Sequence, residues 1–220
     1  MESVLHLRAA VALLGGFPVL AGVDLEVGDG ERVLLQGPNG AGKTSLLRTL
    51  AGLVPVSSGE AVVLGHDLAV DRRAVRPLVG LMAHATGLYD ELTAAENVRF
   101  WAEASRVAAA DSDAAMDRVG LAARLRDVPT SRLSTGQRRR VSLAAMIVRR
   151  PRLWLLDEPH AGLDAEGRDL VDELMVDATA AGATVLFASH DLDRAARVAL
   201  RTVTIVGGVI VEDTGGADAA

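Results

Sequence analysis

The chain contains no cysteine and has few aromatic residues, which make up 3% of its 220 residues. The absence of cysteine excludes disulfides and thiolate metal sites, and it is typical of a reducing compartment such as the cytosol. The scarcity of aromatic rings leaves few surfaces on which nucleic-acid bases could stack. A formal net charge of −6 also disfavours binding to a phosphate backbone, so we expect no nucleic-acid partner.

Long apolar runs are missing as well, although 50% of the residues are hydrophobic. No uninterrupted apolar run reaches the roughly 18 residues that a membrane-spanning helix needs. The first residues lack the basic and apolar segments of a signal peptide, so none is expected. The length predicts one α/β domain with a sizeable core, with room for an inserted lobe.

Lysine is nearly absent too, because only one of the 23 lysine and arginine residues is a lysine. That residue, Lys43, belongs to the segment 37–44, which fits the phosphate-binding pattern G-x-x-x-x-G-K-[ST], the P-loop. Residues 31–36 predict a buried strand and residues 44–51 a helix, as this motif requires. Glycines let several N–H groups converge on phosphate oxygens, and the helix N-terminus attracts the same anion.

The P-loop pattern assigns a role to each polar group of this segment. Lys43 is expected to reach the β- and γ-phosphates of a nucleotide, and Thr44 to ligate Mg²⁺. The predicted nucleotide-binding residues here are Gly37, Pro38, Asn39, Gly40, Ala41, Gly42, Lys43, Thr44 and Ser45.

Two carboxylates, Asp157 and Glu158, follow the apolar stretch 153–156. A carboxylate at the C-terminal end of a parallel strand lies in the crevice where ligands bind. We expect Asp157 to hold Mg²⁺, directly or through water, and Glu158 to polarise a water for attack on the γ-phosphate. The alternative, an acidic turn without a chemical role, is weaker beside a P-loop.

The remaining patterns divide the chain into two kinds of structure. Residues 1–89 and 151–220 predict an α/β core, and residues 90–150 predict a helical lobe inserted into it. Thr93–Glu96 and Ser134–Gln137 fit capping boxes, which open helices.

Four shorter segments carry predictions of their own. Val4–Arg8 predicts an edge strand, Asp71–Arg76 a short helix, and Gly207-Gly208 the turn of a hairpin. Arg138-Arg139-Arg140 is interpreted as a solvated helix face that can also touch phosphate or a partner.

Several motifs together resemble those of ABC-type ATPase domains, over nearly the whole chain. They are the P-loop, Leu133–Gln137, Asp157–Pro159, Gly162–Asp164 and Ser189-His190. The signature of that family reads LSGGQ, and this chain departs from it by a threonine at the third position. Because Leu133–Gln137 lies at a predicted helix N-terminus, it also has the chemistry of an anion site.

The resemblance implies a P-loop NTPase fold with an α/β core, an antiparallel β subdomain and an inserted helical subdomain. It implies that ATP and Mg²⁺ are the cofactors, and that a second ATPase subunit is a partner. In that family two domains enclose two ATP molecules, and each signature helix caps the γ-phosphate held by the other P-loop. The residues that this implies are Ser134, Gly136 and Gln137 on the partner's ATP, Asp164 in the loop joining the two sites, and His190 on the γ-phosphate.

Two positions depart from the family pattern. His84 stands where family members carry a glutamine that senses Mg²⁺ and the attacking water. Imidazole can ligate a metal or accept from water, but it titrates near neutrality, and the alternative is that His84 only fills the loop. Leu14 stands at the place of the adenine-stacking aromatic, and Phe17 either stacks on adenine from a shifted position or belongs to the core.

The family implies a transporter whose membrane pore is a separate polypeptide. Its integral membrane subunits would dock in the groove between residues 84–89 and the helical lobe, at the cytoplasmic face of the inner membrane. His84, residues 88–101 and residues 153–159 look most like the ATP-binding subunit of the haem exporter of cytochrome c maturation.

Other functions stay open at this point. An exporter of drugs or other small molecules is the nearest alternative. Soluble ABC proteins that act on nucleic acid or the ribosome usually fuse two such domains or carry long coiled-coil insertions. A P-loop kinase would have no use for Leu133–Gln137 or Ser189-His190.

Overall fold

The structure is a computed structural model that describes residues 3–83 and 87–215, without the side chains of residues 109 and 110. Its strands are β1 (Ser3–Leu14), β2 (Phe17–Gly28), β3 (Arg32–Gln36), β4 (Val56–Val63), β5 (His66–Asp67), β6 (Val79–Met82), β7 (Leu153–Asp157), β8 (Thr184–Ala188), β9 (Arg201–Val206) and β10 (Val209–Asp213). Its helices are α1 (Lys43–Leu50), α2 (Leu68–Asp71), α3 (Ala94–Ala104), α4 (Ala109–Arg118), α5 (Ala123–Arg126), α6 (Thr135–Arg149), α7 (Ala165–Ala180) and α8 (Leu192–Val198).

The strands form two sheets of different character. The smaller sheet has the order β2-β1-β4-β5 and is antiparallel throughout. The larger sheet has the order β10-β9-β3-β8-β7-β6, and its strands from β9 to β6 run parallel. The predicted α/β fold with an antiparallel subdomain is therefore confirmed.

The helices α3 to α6 lie between β6 and β7 in the chain, within the segment predicted as helical. The exact division into a core (1–89 and 151–220) and a lobe (90–150) stays a prediction. No helix within residues 3–83 and 87–215 is long and apolar enough to cross a lipid bilayer.

Both faces of the larger sheet are buried, which explains the unbroken apolar run of β7. Leu153 and Leu155 point into a cluster that includes the apolar face of α1 and the smaller sheet. Trp154 and Leu156 point to the opposite face, against residues of α3, α6 and α7. Since alternate residues of a strand face opposite sides, a strand covered on both faces needs apolar residues at every position. The ends of these strands are thereby fixed at one edge of the sheet.

The first strand differs from the prediction. Val4–Arg8 was expected to form an edge strand, but β1 runs from Ser3 to Leu14 and pairs with β2 on one side and β4 on the other. Ala9 has a φ of 46°, and the register shifts between Leu7 and Ala10, so a bulge interrupts the alternation there. The edge prediction was wrong because β4, which pairs with the second edge of β1, is distant in the sequence.

Two shorter predictions had opposite outcomes. The helix expected at Asp71–Arg76 is instead α2, which begins earlier because the Asp67 carboxylate accepts a hydrogen bond of 2.8 Å from the Ala69 N–H. The hairpin at Gly207-Gly208 is confirmed, since β9 and β10 pair antiparallel across it.

The burial of Phe187 gives a stability prediction. Phe187 is fully buried in β8, and Phe187→Ala should lower the free energy of unfolding by about 3–5 kcal/mol because it leaves a cavity. Phe17→Ala is the matched control: Phe17 is 76% exposed, and its loss should cost less than about 0.5 kcal/mol. Urea unfolding without nucleotide measures both, and equal losses would contradict the position of Phe187 in the core.

Candidate functional site

The loop 37–44 joins β3 to α1 and needs glycine at two places. Gly37 has a φ of 144°, and a Cβ there would lie 2.0 Å from the Ile205 carbonyl oxygen. Gly42 has a φ of 112°, and a Cβ there would lie 2.8 Å from the Val19 carbonyl oxygen. Both the conformation and the close approach exclude larger residues. The backbone therefore forms a tight cradle directly before the N-terminus of α1, where an anion is favoured.

The polar side chains of the loop point to two different groups. The Lys43 ammonium donates to the carbonyl oxygens of Gly37 at 2.6 Å and Pro38 at 3.0 Å. The Thr44 hydroxyl donates to the Asp157 carboxylate at 2.8 Å. The first turn of α1 is thus tied to the end of β7.

The P-loop and the ends of β7 and β8 line one cleft of about 590 Å³. This volume falls in the roughly 300–1,000 Å³ range of small-ligand sites. The structure brings together in this cleft the predicted residues Asn39, Gly40, Ala41, Gly42, Lys43, Thr44, Ser45, Asp157, Glu158 and His190.

The donor set of this cleft fits a hard cation that also binds phosphate. Thr44 and Asp157 supply oxygen atoms, which Mg²⁺ prefers, and Mg²⁺ commonly takes one or two protein ligands while phosphates and water supply the rest. Within the described part of the chain, no cluster of three or more His, Asp or Glu side chains could hold a metal ion by itself. Thr44 and Asp157 therefore suit an ion whose remaining ligands are phosphate and water oxygens.

Glu158 occupies a strained turn after β7. Its φ of 52° is left-handed, which costs a residue other than glycine roughly 1–2 kcal/mol. Its N–H donates to the Ala188 carbonyl oxygen at 3.0 Å, and its carboxylate accepts from the His190 N–H at 3.1 Å. The His190 ring nitrogen Nε2 lies 3.5 Å from the other carboxylate oxygen. A strained backbone persists only where the surrounding contacts hold it in place. Such residues are common at functional sites.

The signature segment lies in a second cleft, of about 660 Å³. Ser134 caps α6: its N–H donates to the Gln137 side chain at 2.9 Å, and its hydroxyl accepts from the Gln137 N–H at 3.3 Å. Gly136 and Asp164 line the same cleft, and the Asp164 carboxylate caps α7 through the Gly167 N–H. The second cleft shares no lining residue with the first, so one chain does not bring the two sets together.

Comparison with known proteins identifies the family. The ABC transporter family matches residues 20–161. A cytochrome c biogenesis ATP-binding export protein, CcmA, of Pseudomonas putida is 40% identical over 78% of this chain and 82% of that protein. The chain belongs to the ABC transporter family. The predicted identity, an ABC-type ATPase, is confirmed.

Other ABC proteins are similar over a comparable length. The glutamine transport ATP-binding protein GlnQ of Escherichia coli is 37% identical over 90% of this chain and 86% of that protein. A solved ATP-binding subunit of an ABC transporter superposes with a TM-score of 0.88 at 27% identity, over 96% of this chain and 89% of that one.

The two departures from the ABC pattern, at Leu14 with its neighbour Phe17 and at His84, have different outcomes. Phe17 is 76% exposed, so the interpretation that it belongs to the core was wrong. Its neighbours Pro18 and Val19 line the P-loop cleft, and stacking of Phe17 on adenine stays a prediction. Leu14 pairs with Phe17 across the hairpin and is 57% exposed. His84 lies outside the described residues, and both of its interpretations stay predictions.

The sequence interpretation missed Arg139. It was expected on a solvated helix face, but it is 4% exposed and donates to backbone carbonyls beside the site. Burial lowers the pKa of its guanidinium, while the Asp157 and Glu158 carboxylates act against that shift. A signal was present, because Arg139 shares a helical stripe with the buried Leu143 and Met146 at positions i+4 and i+7.

The position of Lys43 gives a binding prediction. Lys43→Ala should weaken ATP binding about 10- to 100-fold, since it removes a charged hydrogen-bond donor from the phosphate cradle. Arg48→Ala is the control, because Arg48 is an exposed cation on the same helix. Calorimetry measures both affinities, and unchanged ATP affinity of Lys43→Ala would contradict the assignment of the cradle.

Proposed function

We propose that this chain is the ATP-hydrolysing motor subunit of the ABC transporter that serves cytochrome c biogenesis, the haem exporter. The relatives that bear the name cytochrome c biogenesis ATP-binding export protein support this, at 37 to 40% identity. The sequence segments 88–101 and 153–159 support the proposal as well, because they resemble the ATP-binding subunit of the haem exporter. The proposal places the chain at the cytoplasmic face of the membrane, bound to integral membrane subunits.

The observation that carries the hydrolytic function is the single cleft that joins the P-loop to the ends of β7 and β8. Lys43 would contact the nucleotide phosphates. Thr44 and Asp157 would hold Mg²⁺, which would supply positive charge beside those phosphates. Glu158 accepts a hydrogen bond from the attacking water and takes its proton. His190, whose side chain is 61% exposed, would donate to the γ-phosphate.

A second copy of an ATPase subunit completes each site. Ser134, Gly136 and Gln137 lie in a cleft of their own, at the N-terminus of the 15-residue helix α6. An anion is favoured at such a terminus. Two copies arranged head to tail would bring this cleft over the γ-phosphate held by the other copy.

This arrangement predicts complementation between two inactive variants. Ser134→Arg should abolish most hydrolysis while each chain still binds ATP, because a bulky cation then blocks the helix N-terminus. A heterodimer with Lys43→Ala keeps one site in which both Lys43 and Ser134 are intact. A mixture of the two variants should therefore regain ATPase activity, measured as phosphate release. A mixture no more active than its components would contradict the shared site.

A groove beside the helical segment suits a membrane subunit. It is lined by residues that include Leu81, Leu88, Trp101, Met146 and Arg149. The Arg149 guanidinium lies 4.7 Å from the centre of the Trp101 ring, so a cation–π pair belongs to the lining. An amphipathic helix of a permease would find both apolar side chains and a positive charge here.

The similarity to the glutamine transport protein favours one alternative, an ABC transporter for another small molecule. Both functions share the ATPase site, so hydrolysis does not separate them. A test that separates the two functions must measure which process the cell loses when this gene is deleted.

We expect deletion of this gene in its own host to remove covalent c-type haem, measured by haem staining of membrane proteins. Expression of the wild-type chain should restore the stain, because its ATPase drives the exporter. Lys43→Ala, the matched control at similar protein level, should not restore it. Unchanged c-type cytochromes in the deletion strain, together with altered uptake or drug resistance, would contradict the cytochrome proposal and favour the alternative.

A further inference from the structure

A buried arginine lies directly beneath the hydrolytic turn. The guanidinium of Arg139 donates to the carbonyl oxygens of Ala83 at 2.9 Å, Glu158 at 2.5 Å, Asp157 at 3.3 Å and Pro159 at 3.4 Å. These acceptors belong to two separate segments, the end of β6 and the turn after β7. One planar group thus spans the two strand ends.

Stability alone is a poor explanation for this burial. Arginine stays charged in proteins, and removing a charge from water costs more than its contacts commonly return. Apolar residues fill the same stripe of α6 at Leu143 and Met146. A charged group at Arg139 therefore calls for a reason beyond packing, and its contacts with Asp157 and Glu158 supply one.

The backbone of Glu158 needs support from outside the turn. Its left-handed φ of 52° is unfavourable for a residue with a side chain. The Ala188 carbonyl oxygen holds the N–H of Glu158, and the Ala161 N–H together with Arg139 holds its carbonyl oxygen. The carboxylate therefore extends from a backbone fixed on both sides, towards His190.

We propose that Arg139 is a positioning residue for hydrolysis: it sets the place of the Glu158 carboxylate by holding the carbonyls of the turn. This rests on the proposed role of Glu158 as the group that activates water. Arg139 belongs to the helix that the signature residue Ser134 caps. The N-terminus of this helix lines the second cleft, and Arg139 contacts the backbone of Glu158, which lines the first. Arg139 makes its contacts with backbone carbonyls, so it acts through Glu158 and not on ATP.

Arg139→Lys tests the geometry while it keeps the charge. A lysine ammonium is a compact donor on a flexible stem and cannot span four carbonyls as a planar fork does. We expect kcat to fall about tenfold, since a misplacement of about 1 Å can cost about 100-fold and a smaller shift costs less. KM, ATP affinity and the melting temperature should stay close to wild type. The kcat of Arg139→Gln should be lower still, because this variant also loses the positive charge.

Arg138→Lys is the matched control on the same helix. The Arg138 guanidinium contacts Asp90 at 2.6 Å and the Thr130 carbonyl oxygen at 3.0 Å, away from the turn. The kcat of Arg138→Lys should stay within about twofold of wild type, as for a substitution without a special role. Parallel losses of melting temperature and ATP affinity in Arg139→Lys would overturn the proposal, because they indicate general structural support.

A double variant separates this proposal from the function on which it rests. In a Glu158→Gln background, Arg139→Lys should not slow the residual single-turnover hydrolysis further, since both changes act on one step. A further tenfold loss would overturn the positioning role. Wild-type kcat in Arg139→Lys would overturn it too and leave Glu158 untouched. Wild-type hydrolysis by Glu158→Gln alone would instead reject the proposed role of Glu158.

Discussion

The hydrogen bond between the Thr44 hydroxyl and the Asp157 carboxylate, 2.8 Å long, joins the two halves of the nucleotide site. Thr44 follows the phosphate cradle on α1, and Asp157 ends β7, 113 residues later in the chain. The contact depends on the strand order β3-β8-β7, which fixes both strand ends at one edge of the sheet. The apolar residues on both faces of β7 and β8 hold that edge in place, so core packing determines the geometry of the site.

Local signals in the sequence predicted much of this site. The P-loop, the capping boxes at Thr93 and Ser134, and the strand before Asp157 each depend on residues close together in the chain, and the structure has all of them. The features that the sequence did not predict depend on contacts between segments that are distant in the chain. β1 lies inside its sheet because the distant strand at 56–63 pairs with its second edge, and Arg139 is buried against a carbonyl 56 residues away. A pattern along one segment cannot show which distant segment will cover it.

The separation of the two clefts bears on how two copies of the chain would assemble. The phosphate cradle and the signature residues lie in different clefts, although α6 reaches from Ser134 to the turn at Glu158 through Arg139. In the proposed pair of copies, this helix would therefore contact the partner's nucleotide at its N-terminus and the turn of its own Glu158 through Arg139.

The central claim, that two copies enclose ATP and that Glu158 activates the water, is tested most directly by the mass of Glu158→Gln in solution. Multi-angle light scattering with Mg-ATP should show a stable dimer, because the amide cannot take a proton from water and the enclosed nucleotide persists. Without nucleotide, or with ADP, the same variant should be a monomer. A Glu158→Gln chain that stays monomeric with saturating Mg-ATP, or that hydrolyses ATP at the wild-type rate, would contradict the account.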